Sequence, residues 1–169
     1  MQDFSPSEFK NNVLALAACA QYFKLPTILT TSFENGPNGP LVPELQAMFP
    51  DVPYIARPGN INAWDNEDFV NAVQKTGRKQ LIIAGVVTEV CVAFPALSAI
   101  EAGYDVFVVT DASGTCNEVT RHAAWARMAA AGVQLITGSV WPVSCTATGA
   151  TISKAWARSS PMTFQTTGT

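Results

Sequence analysis

The residues best suited to chemistry lie in Ala84-Gly-Val-Val-Thr-Glu-Val-Cys-Val-Ala, where Cys91 follows an apolar run and opens the next helix. A thiol in the first turn of a helix meets unpaired backbone N–H groups and the positive end of the dipole, which favour thiolate over thiol. Free cysteine is usually a small core hydrophobe, but a place at the carboxyl end of a strand favours a nucleophile at Cys91. Cys19 has apolar neighbours on a helix and reads as core. Cys116 lies beside a helix start without a supporting motif, and Cys145 falls in the tail. No C-x-x-C pair and no histidine at ligand spacing occurs, which argues against structural zinc and a disulfide framework and for reduced thiols.

A nucleophilic cysteine needs a base or a cation beside it. The single histidine, His122, sits in Thr-Arg-His-Ala-Ala on a helix, a context that suggests packing or surface. Arg57 is the better candidate: it closes a short strand and precedes Pro-Gly, so it should project at the carboxyl edge of a sheet. A surface arginine is the ordinary alternative, and the residue pattern leaves both open. No glycine-rich phosphate loop follows any strand, so neither a nucleotide nor another cofactor is implied.

The elements that would position these groups alternate. Ser5-Pro-Ser-Glu is a helix start, and apolar Phe9, Val13, Leu16, Ala17 and Ala20 carry the helix to about Phe23. A β-branched strand follows Pro26, then the Gly/Pro/Asn loop 34–40, a short helix over 44–49 and a short strand over 53–56. Residues 64–76 read as a helix ending at Gly77. The near-continuous apolar run 79–86 reads as a strand covered on both faces, central in a parallel sheet. Helix 90–102, strand 105–110, helix 117–131 and strand 133–137 complete the pattern, with Gly103 and Gly132 as stops. Repeated β-α units imply right-handed crossovers, a parallel sheet flanked by helices, and ligand sites at strand carboxyl ends.

Composition sets the limits. The 169 residues are 48% hydrophobic and 14% charged, with net charge −3, so the chain buries much of itself and lacks a basic face for nucleic acid. Apolar runs such as 81–87 fall well short of the ~20 residues of a membrane span, and no leader precedes Ser5, which points to a soluble cytoplasmic protein. Residues 1–137 carry 13 acidic and 8 basic side chains. Residues 138–169 carry only Lys154 and Arg158, hold 12 Ser or Thr and show no sustained period, which marks a poorly structured tail.

Across residues 4–137 the chain resembles the isochorismatase-like cysteine hydrolases, and more narrowly their YcaC-like branch. The resemblance rests on Leu25-Pro-Thr-Ile-Leu-Thr-Thr-Ser-Phe-Glu, Gly36-Pro-Asn-Gly-Pro-Leu-Val-Pro-Glu-Leu, Ile55-Ala-Arg-Pro-Gly, Ile61-Asn-Ala-Trp-Asp, Ile83-Ala-Gly-Val-Val-Thr-Glu-Val-Cys-Val and Val109-Thr-Asp-Ala-Ser-Gly-Thr. It implies a three-layer α/β/α Rossmann-like fold with a parallel sheet, and a homo-oligomer acting on a small amide or carbonyl substrate. It also implies Cys91 as nucleophile, a cis peptide before Thr88 at Val87–Thr88, and backbone N–H groups of Val87 or Cys91 at an oxyanion. Of the family triad of aspartate, lysine and cysteine, Arg57 takes the lysine place. The aspartate belongs on a first strand ahead of the first helix; this chain shows no such strand, and Asp3 does not match the motif. Impaired turnover is therefore expected, and a non-catalytic remnant with at most a binding or thiol-reactive role is the alternative. The metal-binding branch of the family carries histidines that residues 32–40 lack, so no metal is implied.

The tail departs from the family, whose C-terminal helical part is missing. With one T placed in front, a back-translation of residues 138–149 reads WFGVACELHRDW, and synonymous codons carry a family-like reading through Thr169. A one-nucleotide frameshift after Thr137 is the expectation, and the coding DNA decides it.

Overall fold

The computed structural model describes residues 3–138, so the expectations placed on the tail lie outside the described residues. Helix α1 (Pro6–Tyr22) starts where Ser5 Oγ accepts from the Glu8 amide at 3.2 Å, with proline in the first turn. Strand β1 (Leu29–Ser32), helix α2 (Pro43–Met48) and strand β2 (Tyr54–Arg57) follow. Next come α3 (Glu67–Lys75), β3 (Gln80–Ile83), α4 (Ala93–Glu101), β4 (Asp105–Val109), α5 (Glu118–Ala130) and β5 (Gln134–Ile136). Gly77, Gly103 and Gly132 follow α3, α4 and α5 at φ of +66°, +82° and +96°, a left-handed backbone that glycine adopts without a Cβ penalty.

Three elements differ from the sequence expectation. The helix expected from Trp64 begins instead as a separate turn, Ala63–Asp65, because Asn62 caps that turn at the Trp64 amide and Asn66 then caps α3 at the Phe69 amide. The helix expected from Val90 is preceded by a π turn over Thr88–Val92, with Val92 N–H bonded five residues back to Val87 O at 3.2 Å. The apolar strand β3 is not central. All strand pairings are parallel, but they form two sheets, β1-β2 and β3-β4-β5, and no strand among the described residues joins them. β4 holds the centre of the larger sheet because it is paired on both sides, and its Val106, Val108 and Val109 are fully buried.

The two crossovers of this sheet, α4 and α5, touch each other and therefore cover the same face. The core lies there: Val106 and Val108 meet Ala93, Ala96 and Ala99 of α4 and Met128 of α5. Alanines on α4 let that helix sit close to the sheet and fix the turn at its amino end, which carries Cys91. An isolated parallel bridge between Val86 and Gly114 extends the β3–β4 pairing past the carboxyl end of both strands, to the edge of that turn.

Candidate active site

Cys91 is half-buried on the π turn beyond the carboxyl end of β3. The turn is held from behind by the segment after β4. Gly114 donates to Gly85 O at 3.1 Å and accepts from the Thr88 amide at 2.9 Å. One expectation, the position of the cis peptide, is corrected here. The cis peptide lies between Val86 and Val87, one bond before the Val87–Thr88 peptide, and the Thr88 N–H beyond it is bonded to Gly114 O. That N–H is committed to the loop, so Thr88 offers nothing to an oxyanion through its backbone. Its side chain is fully buried, and Oγ1 has no hydrogen-bond partner among the described residues.

Arg57 is the last residue of β2, paired in register with Ser32 of β1, and it is only 4% exposed. Its guanidinium donates to neutral oxygens: Nε to Thr30 Oγ1 at 3.0 Å, and Nη1 to the carbonyls of Asn60 and Ile61. No carboxylate pairs with it among the described residues. Burial pushes the guanidinium below its ordinary value, and the charge of the Cys91 thiolate acts in the opposite direction. Arg57 thus closes the carboxyl end of the two-stranded sheet, while Cys91 lies beyond the carboxyl end of β3 in the three-stranded one.

The other thiols and the histidine stand apart. Cys19 is buried in α1, where burial raises its thiol above the ordinary value. Cys116 is exposed, and Cys145 lies outside the described residues. His122 is exposed on α5 with its ring 5.6 Å from that of Trp125. Asp3 has a fully buried side chain whose Oδ2 accepts from the Thr115 amide at 3.0 Å and lies 3.7 Å from Arg121 Nη1. Sequence reasoning passed over Gly114 and Thr115. The only signal for them is their place in Asp111-Ala-Ser-Gly-Thr, after the strand next to the cysteine strand. A cleft lined by Trp64, Gln74, Arg78, Lys79 and Tyr104 opens at the amino end of β3, the end opposite Cys91. In an open parallel sheet, chemistry gathers at the carboxyl ends, so this cleft is not the candidate site. Among the described residues no cluster of His, Cys, Asp or Glu could hold a metal.

Residues 8–139 match the Isochorismatase domain. The chain belongs to the isochorismatase family. Within it the YcaC branch is the relevant one: the chain is 78% identical over 137 residues to a protein of Escherichia coli described as a probable hydrolase, YcaC. That alignment covers 81% of this chain and 66% of the relative, so the chain spans just under two thirds of that protein's length. Two solved structures carry the same likeness at a TM-score of 0.80. One is YcaC from Pseudomonas aeruginosa with hexane-2,5-diol and covalent acrylamide, 78% identical and covering 81% of this chain and 68% of that one. The other is the YcaC gene product of Escherichia coli, described as an octameric hydrolase of unknown specificity, 79% identical and covering 80% and 67%. For this isochorismatase-family chain, the parallel sheets with flanking helices are the family fold. No helix among its described residues is long and apolar enough to cross a membrane.

Proposed function

We propose that this chain carries the nucleophile half of an isochorismatase-family hydrolase site, with Cys91 attacking the carbonyl carbon of a small amide and Arg57 favouring its thiolate. The observation that carries the reading is Arg57 itself: a buried cation without a carboxylate partner, within electrostatic reach of a half-buried thiol on a strand-end turn. A buried charge is costly unless compensated, and a thiolate would compensate it. Arginine holds its proton too firmly to pass it on, so its part is electrostatic. The acrylamide held covalently by the P. aeruginosa relative supports a reactive nucleophile in this branch, because acrylamide is an electrophilic small amide.

Attack moves the thiolate electron pair onto the carbonyl carbon and charge onto its oxygen, where the N–H groups of Val87 or Cys91 would receive it. Collapse to a thioester expels an amine that must gain a proton, and water then hydrolyses the thioester. We further propose that proton transfer is impaired: the resemblance places its aspartate on a strand ahead of the first helix, and no described carboxylate pairs with Arg57. General acid–base help is worth about 10²–10⁴-fold, so turnover should be trace. That same lack favours a second reading, a thiol-reactive or binding protein without turnover. A homo-oligomer is proposed by likeness to the octameric E. coli relative.

Limiting iodoacetamide at neutral pH, followed by mass spectrometry, tests the nucleophile. Cys91 should be alkylated ahead of Cys19, and an inert Cys91 would end the hydrolase reading. Release of ammonia from small amides, lost in Cys91→Ser, separates hydrolase from thiol-reactive remnant.

A further inference from the structure

The turn that carries Cys91 also carries a carboxylate, Glu89, two residues before it. Left free, a negative group there could turn onto the thiol and oppose its ionisation. It is not free. The Thr115 hydroxyl donates to Glu89 Oε2 at 2.6 Å, and Thr115 is fully buried. Thr115 is itself fixed twice: by the Gly114 bonds to Gly85 and Thr88, and by its amide bond to the buried Asp3 carboxylate. Asp3 is backed in turn by Arg121, whose guanidinium stacks over the rings of Phe4 at 5.3 Å and Trp125 at 5.1 Å. Arg57 meanwhile makes no ion pair with Glu89 or any other described carboxylate.

We propose that Thr115 is a positioning residue of this site: its hydroxyl fixes the Glu89 carboxylate on the turn that carries Cys91 and so keeps that negative charge from turning onto the thiol. The inference rests on the reading of Cys91 as a reactive nucleophile. The other charged groups on α4 and α5, the helices packed against the turn, are engaged elsewhere. Arg121 on α5 pairs with Asp3 and with Glu118, His122 on the same helix lies beside Trp125, Arg127 lies over the Phe94 ring at 5.4 Å, and Glu101 ends α4 at its far terminus.

The test is the pH profile of Cys91 alkylation by iodoacetamide in the full chain, read by mass spectrometry. Glu89→Asp keeps the charge but falls a carbon short of Thr115. Glu89→Gln keeps reach and acceptor without the charge. Glu89→Asp should slow alkylation at neutral pH about ten-fold and move its midpoint upward, as expected when a negative charge is freed beside the thiol, while Glu89→Gln should keep the parent profile. Thr115→Val should follow Glu89→Asp, and Thr115→Ser should restore the parent. If Glu89→Asp matches the parent, or Glu89→Gln is slowed as much as Glu89→Asp, the positioning role is overturned, whether or not Thr115→Val folds. A parent chain with an unreactive Cys91 overturns both this inference and the nucleophile it serves.

Discussion

The Thr30 hydroxyl sits between Arg57 and the β1–β2 ladder: it accepts from Arg57 Nε at 3.0 Å and donates to Ile55 O at 2.8 Å. One small side chain thus satisfies a buried guanidinium and a strand carbonyl together. Thr30→Val keeps the shape and removes both bonds. It should cost about 1–3 kcal/mol in urea unfolding, the range for stranding a buried charged donor, and should slow Cys91 alkylation by loosening Arg57. An unchanged urea midpoint would mean that the carbonyls of Asn60 and Ile61 hold the guanidinium unaided.

The buried Cys19 thiol makes stability sensitive to alkali. The Cys19 thiol is raised by burial, so the folded chain holds its proton more tightly than the unfolded chain does. The stability this contributes is present below the unfolded value of about 8.5 and is lost as pH rises through the higher folded value. Urea midpoints should therefore fall above about pH 8.5 in the parent and fall less in Cys19→Ala. In the folded chain, exposed Cys116 should be alkylated faster than buried Cys19.

Met128 is fully buried on α5 against the β4 face. Met128→Ala should cost about 2–5 kcal/mol by creating a cavity beneath α4 and α5. Thermal unfolding measures this directly. A loss well under that range would indicate that the alanine-rich face of α4 collapses into the space.

Much of this architecture is legible in the residues because its signals are local. Ser5-Pro6 starts α1, Asn117 caps α5 at the Thr120 amide, and glycines close α3, α4 and α5, each through contacts within a few positions. The placement of Cys91 beyond β3 and of Arg57 at the end of β2 is legible for the same reason. What could not be read depends on partners far along the chain. An apolar run does not reveal how many neighbours a strand has, so β3 reads as central although β4 is. The turn at the cis Val86–Val87 bond is tied through the Thr88 amide to Gly114, which comes after another helix and strand. Asn62 and Asn66 did carry a readable signal, since two capping side chains four apart mark two starts rather than one helix.

The bond from the Thr115 amide to Asp3 joins positions 112 residues apart. A contact of that sequence separation closes a long loop and is made only after shorter-range elements have formed. The backing of the cysteine turn should therefore be among the last parts of the chain to set during refolding. The appearance of fast Cys91 alkylation then becomes a clock for completed folding, lagging the return of helical signal.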